Sequence, residues 1–132
     1  MTLKYMLDTD SVSFALRGQG NVGARILDHK PSELCISVIT LGELRFGAHK
    51  RDSKKLHKLI DTFAESVAPQ DFDVDAADEY GRLAAALAQR GTPIGSFDAM
   101  IAAHALARKL ILVTNNEKHF RKVPGLKIEN WT

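Results

Sequence analysis

The chain carries a single cysteine, Cys35. It can close no internal disulfide, and one thiol cannot build a thiolate metal cluster. Long apolar runs are missing too. Nothing approaches the ~18–20 consecutive apolar residues of a membrane-spanning helix. The first apolar stretch, Tyr5-Met6-Leu7, is cut off by Asp8, so no secretory signal is expected. A cytoplasmic protein that meets no membrane fits these absences. Charge of one sign is scarce: 18 Lys and Arg against 16 Asp and Glu leave a formal net charge of +2. That balance does not announce a nucleic-acid binder, although a local basic patch can suffice. No repeat, low-complexity block or linker interrupts the chain. What is present is ordinary: 132 residues, 45% hydrophobic and 26% charged, as in a compact folded domain. A single domain over residues 1–132 is expected.

Short β-rich stretches alternate with helical ones. Residues 3–7 read as a strand that stops at Asp8. Asp10 is placed to N-cap a helix running to Gly18. Residues 22–30 look helical before Pro31, and Leu34 to Ser37 read as a buried strand. Helices follow over 38–50 and 53–65, then a possible strand around Val67. A strong helix covers 74–90, and Ser96 is placed to cap an almost wholly apolar helix over 97–109. Leu110 to Val113 and Leu126 to Ile128 complete the pattern. Strands alternating with helices predict an α/β fold, a central parallel sheet of four to five strands with helices on both faces. Active crevices of such sheets lie outside the carboxyl ends of the strands. Asp8 follows one strand directly and Thr114-Asn115-Asn116 follow another, so they share that edge.

Three acids stand in apolar company: Asp8 at a strand end, Glu43 on the helix face shared with Ile39 and Phe46, and Asp98 in the first turn of the apolar helix. Burying an ionised carboxylate costs several kcal/mol unless a cation compensates it. No Lys or Arg neighbours Asp8 or Asp98 in sequence. Converging carboxylates suit a hard divalent ion, Mg²⁺ or Mn²⁺. Each acid alone has a plainer role. Asp98 suits a helix N-terminus, Asp8 a turn, and Glu43 an ion pair or solvent. Together they favour a shared acidic site.

Other patterns fail on context. Gly18-Gln19-Gly20-Asn21-Val22-Gly23 has dinucleotide-loop spacing, but no strand runs into it. Asp71, Asp73 and Asp75 imitate a calcium loop without its sixth-position Gly or twelfth-position Glu. The five histidines show no zinc-type pairing, and His104 reads as a partly buried, hydrogen-bonded residue. Cys35 reads as core. Asp8-Thr9-Asp10 resembles the nucleophile loop of haloacid-dehalogenase-type phosphatases, with Thr114-Asn115 as the phosphate-binding turn. That family also needs an acidic metal motif later in the chain, where only Glu117 and Glu129 remain. It stands as the alternative enzyme class.

Met6-Leu7-Asp8-Thr9-Asp10, Ile36 to Leu44 with Glu43, Gly95-Ser96-Phe97-Asp98 to Ala105, and Leu112-Val113-Thr114-Asn115-Asn116 resemble, in order and spacing, PIN-domain nucleases. More closely they resemble the VapC toxins of bacterial toxin–antitoxin modules. The ending from Gly125 to Trp131 also has that family's look. The resemblance implies a PIN fold, an Mg²⁺-dependent endoribonuclease (Mn²⁺ as a substitute), a homodimer and a VapB-type antitoxin. The RNA cut would be structured, transfer RNA being the common class. Asp8, Glu43 and Asp98 match the family's acids. Asp8 and Asp98 would hold metal, with Glu43 and Asn116 reaching it directly or through water. Thr114 and Asn116 would support them. Asn116 replaces a fourth acid found in many PIN domains, so one-ion and two-ion hydrolysis both fit. Glu43 would position or deprotonate the attacking water. Arg45, Lys50, Arg51, Lys54, Lys55 and Lys58 form the densest basic stretch, either a solvated helix face or an RNA backbone contact. The remaining alternative is a PIN-like domain that binds without cutting.

Overall fold

The computed structural model describes residues 2–132. Its elements run β1 (Tyr5–Leu7), α1 (Thr9–Leu16), α2 (Val22–Leu27), a 3₁₀ turn (Pro31–Glu33), β2 (Leu34–Ser37), α3 (Val38–Lys50), α4 (Lys54–Ser66), β3 (Ala68–Gln70), α5 (Val74–Gln89), α6 (Ser96–Ala107), β4 (Ile111–Val113), α7 (Glu117–Phe120) and β5 (Ile128–Glu129). The five strands pair in parallel in the order β3-β2-β1-β4-β5. The expected α/β sheet with helices on both faces is therefore what forms.

Period-two alternation along the strands divides the core. Met6, Cys35 and Leu112 point to one side, where they meet Leu83 and Leu87 of α5 and Ile101 of α6. Leu7, Ile36 and Val113 point to the other, against Val12 of α1, Leu44 of α3 and Ile60 of α4. Strands buried on both faces read as apolar runs rather than alternating ones, which is why they were visible in sequence. Cys35 is buried core as expected, with its thiol pushed up to about 12 chiefly by burial. Trp131 is 1% exposed, stacked on His29 and edge-on to Tyr5, so the last residues close the second core.

Several local expectations are corrected. The N-cap of α1 is Asp8, whose side chain accepts the Ser11 N–H, and Asp10 lies in the first turn. The deciding factor is chain direction: β1 ends at Leu7, so the first residue able to turn is Asp8. Gly95, not Ser96, occupies the N-cap position of α6. The helix over 22–30 ends at Leu27. The short α7 and the 3₁₀ turn had no periodic signal, being too brief to show one. Among the described residues, no helix is long and apolar enough to cross a membrane.

Candidate active site

The strand order reverses beside β1: the chain moves outward through β2 and β3, then returns to pair β4 on the other flank of β1. Loops leaving β1 and β4 diverge there and open a crevice. The Asp8 N–H donates to the Val113 carbonyl at 2.9 Å, which pins the two strand ends together.

Asp8 is 4% exposed. Its carboxylate accepts the Ser11 N–H at 2.8 Å and the Thr114 hydroxyl. Burial nevertheless dominates and pushes its pKa up to about 6, despite those hydrogen bonds. Thr114 is fully buried and also accepts the Asn116 N–H at 3.0 Å, tying the turn after β4 to the Asp8 side chain. Glu43 projects from α3 and accepts the Thr9 hydroxyl at 2.5 Å. Its pKa is raised by desolvation and by the charges of Asp98 and Asp10, against the lowering effect of Thr9. Asp98 projects from the first turn of α6, with Oδ2 3.0 Å from His119 Nε2. Desolvation and Asp10 raise its pKa, and His119 opposes them.

Asp8, Glu43 and Asp98 line one cavity of about 200 Å³, together with Thr9, Asp10, Asn116 and Phe120. The three acids that stand out in sequence thus face one cavity, which Asn116 also lines, with Thr114 bonded to Asp8. Two further neighbours have no comparable sequence signal. Asp10, a helix-cap candidate in sequence, faces the same cavity. His119 was one histidine among five, and only the fold carries α7 against Asp98. His104 is fully buried rather than partly so. Its Nδ1 lies 2.9 Å from Ser37 Oγ, and its Nε2 has no partner.

The donor set is hard oxygen. Among the described residues, no three Asp, Glu, His or Cys side chains converge closely enough to cage an ion unaided. Oxygen donors of this kind are the type Mg²⁺ takes, one or two carboxylates with the remaining positions left to water and substrate oxygens. Asp10 raises the pKa of Asp8, Glu43 and Asp98, and Asp98 raises that of Glu43, so a bound cation would relieve repulsion as well as desolvation. The later acids that a haloacid-dehalogenase-type site would need are elsewhere. Glu117 pairs with Arg121 at 3.5 Å, and Glu129 accepts the Trp131 indole N–H at 2.9 Å. Neither lines the acidic cavity.

The sheet, its switch point and the acidic crevice define the class: residues 5–126 match the PIN domain family. The chain is 38% identical over 130 residues to the tRNA(fMet)-specific endonuclease VapC of Salmonella typhimurium, covering 98% of both proteins. It is 35% identical to Ribonuclease VapC2 of Haemophilus influenzae, again over 98% of each. Among solved structures, DNA-bound VapBC from Salmonella typhimurium superimposes with a TM-score of 0.90 at 38% identity, covering 99% of this chain and 100% of that one. VapBC2 of Rickettsia felis bound to a promoter DNA fragment gives 0.88 at 35% identity, over 98% and 100%. The chain belongs to the VapC toxin ribonucleases of the PIN-domain family.

Proposed function

We propose that this ribonuclease is an Mg²⁺-dependent endonuclease cutting structured RNA, with a transfer RNA as substrate, and that Asp8, Glu43 and Asp98 are its catalytic acids. The observation that carries the reading is Asp8: a buried carboxylate with a strongly raised pKa and no cation beside it, facing one cavity with two further acids. Asp8 and Asp98 would hold the ion. Glu43 and Asn116 would reach it directly or through water, and Mn²⁺ could replace Mg²⁺. A bound ion would supply acidification of a water and neutralisation of charge on the phosphodiester. Glu43, half-buried with one oxygen held by Thr9, orients and deprotonates the attacking water. Thr114 fixes the Asp8 carboxylate through its hydroxyl and the turn to Asn116 through its oxygen. The test substrate is an initiator transfer RNA, because the Salmonella relative bears that specificity in its name. Cleavage with end mapping should occur in Mg²⁺, stop in EDTA, and disappear in Asp8→Asn and Asp98→Asn. Equal rates in EDTA and Mg²⁺ would refute it.

The nuclease works as one domain over residues 1–132, in the cytoplasm, as a homodimer held by a VapB-type antitoxin. Relatives crystallised as VapBC complexes support the partner. Beside the acidic cavity lies an open apolar groove of about 690 Å³ lined by Val38, Ile39, Phe46 and Phe97, and it shares Thr9 and Glu43 with that cavity. Phe46 and Phe97 are 68% and 56% exposed. An antitoxin segment would lay apolar side chains on that groove and send an Arg or Lys to the acids, a desolvated pairing. Light scattering should report about twice 14.5 kDa for the isolated chain. Changing the antitoxin's pocket-facing cation should restore toxicity on co-expression.

A further inference from the structure

On the other side of Glu43 from the apolar groove lies a smaller cavity of about 110 Å³, between the C-terminal halves of α1 and α3. It shares Thr9 and Glu43 with the acidic cavity, and Arg17 and Arg51 also line it. Each arginine is the C-cap of its helix, Arg17 of α1 and Arg51 of α3. Each is followed by a residue in the left-handed region, Gly18 at φ 66° and Asp52 at φ 49°, so both helices end sharply there. The backbone under the two side chains is therefore set by helix termination rather than by a loose loop.

Most arginines of this chain are committed to other groups. Arg25, Arg45, Arg82 and Arg121 pair with carboxylates, and Arg108 donates to Gln70. Among the described residues, neither Arg17 nor Arg51 is found in an ion pair. Arg17 instead lies over the Phe14 ring, its guanidinium carbon 5.4 Å from the centroid, a contact that leaves its N–H donors available. Glu43, the acid between them and the metal-holding residues, is bonded to Thr9 and not to either arginine. Two arginines without an ion pair thus line one cavity that shares Thr9 and Glu43 with the acidic cavity.

The acids repel a polyanion, so a nuclease needs cations beside them and not among them. Guanidinium forks match phosphate oxygens in a bidentate fashion. We propose that Arg17 and Arg51 form a binding subsite for an RNA backbone phosphate flanking the bond that is cut. They are positioning residues that set where the strand crosses the acids. The inference rests on the ribonuclease reading and adds the site that holds the neighbouring phosphate. It also separates Arg51 from the basic stretch around it. Arg45 is tied to His57 at 2.9 Å and to Asp61, while Lys50 lies over Phe46 on the groove side.

The test is fluorescence anisotropy with a labelled initiator transfer RNA in EDTA, where binding is read without cleavage, over a series of salt concentrations. Arg17→Ala and Arg51→Ala should each weaken binding roughly 3- to 10-fold and reduce the log Kd–log salt slope by about 0.7–0.9. Arg17→Lys and Arg51→Lys should recover the slope while binding more weakly than wild type, which a misfolded variant would not do. Arg90→Ala, at the C-terminal end of α5 and outside both cavities, should match wild type. With Mg²⁺, the alanine variants should raise KM and leave kcat within about 3-fold of wild type, since uniform binding is what they lose. A double Arg17→Ala/Arg51→Ala variant with wild-type affinity and salt slope overturns the subsite and leaves the nuclease intact. Arginine-dependent binding by a wild-type protein that never cuts in Mg²⁺ overturns the ribonuclease reading instead.

Discussion

Two carboxylates at opposite ends of the sheet show what a site costs. Glu33 lies at the entry of β2. It accepts the Lys30 N–H, stands 3.4 Å from Lys4 Nζ and 3.5 Å from His29 Nδ1, and its pKa falls below the ordinary glutamate value, chiefly through the Lys30 N–H. Asp8 lies at the exit of β1. It has two neutral donors and no cation, and its pKa rises to about 6. Glu33 has its charge satisfied within the folded chain, whereas Asp8 is buried with no cation beside it.

The sharpest way to break this comparison is to neutralise each acid. Asp8→Asn should lower RNA cleavage by about 10³-fold or more, because the ion and its activated water are lost together. Glu33→Gln should leave cleavage at the wild-type rate. Gel assays on one transfer RNA measure both.

The next difference is in stability, with opposite signs. The folded-state pKa of Asp8 lies above its ordinary value of 3.8, so the proton it holds stabilises the fold at low pH. That stability is present below about pH 4 and is lost as pH rises toward 6, an amount of about 3 kcal/mol for the whole shift. In EDTA, Asp8→Asn should therefore melt roughly 5 °C or more above wild type at pH 7.5, with the advantage vanishing near pH 4. Adding Mg²⁺ should raise the wild-type Tm and leave that of Asp8→Asn unchanged. A variant that melts below wild type at pH 7.5 would mean that Asp8 is structural, like Glu33.

A smaller effect sharpens the contrast at its support. Thr114→Val removes the hydroxyl that lowers the Asp8 pKa and the acceptor of the Asn116 N–H. The acid limb of the cleavage pH profile should move to higher pH, with destabilisation of about 1–3 kcal/mol from the orphaned N–H. The smallest change belongs to Glu33→Gln, whose solvent-screened pairings should leave its Tm close to wild type in a thermal melt. For Glu33 the sign is reversed. A depressed carboxylate pKa gives stability at neutral pH that is lost as pH falls through it.

Much of this molecule was readable as a string. Leu34 to Ser37 and residues 38–50 appear in the fold at the positions their apolar pattern assigns, because strands and helices buried against a sheet must carry that pattern. Asp8, Glu43 and Asp98 were conspicuous for being charged where their neighbours are apolar. That signal survives in sequence because burial penalises an acid wherever it stands. Helix caps were less legible. Asp8 and Asp10 are equally good cap residues, and only the end of β1 decides between them.

Tertiary structure alone decided who stands beside the acids. Asp10 reaches the cavity because α1 starts one residue after Asp8. His119 reaches Asp98 because β4 delivers α7 across the crevice. Arg17 and Arg51 line one cavity because α1 and α3 pack on the same face of the sheet. Apolar periodicity reports which side of an element faces the core, and it determined the layers and the expensive acids. It carries no information on which polar ends meet once those layers are stacked, since that is set by strand order and helix length, and a side chain in water pays nothing in sequence for its neighbour.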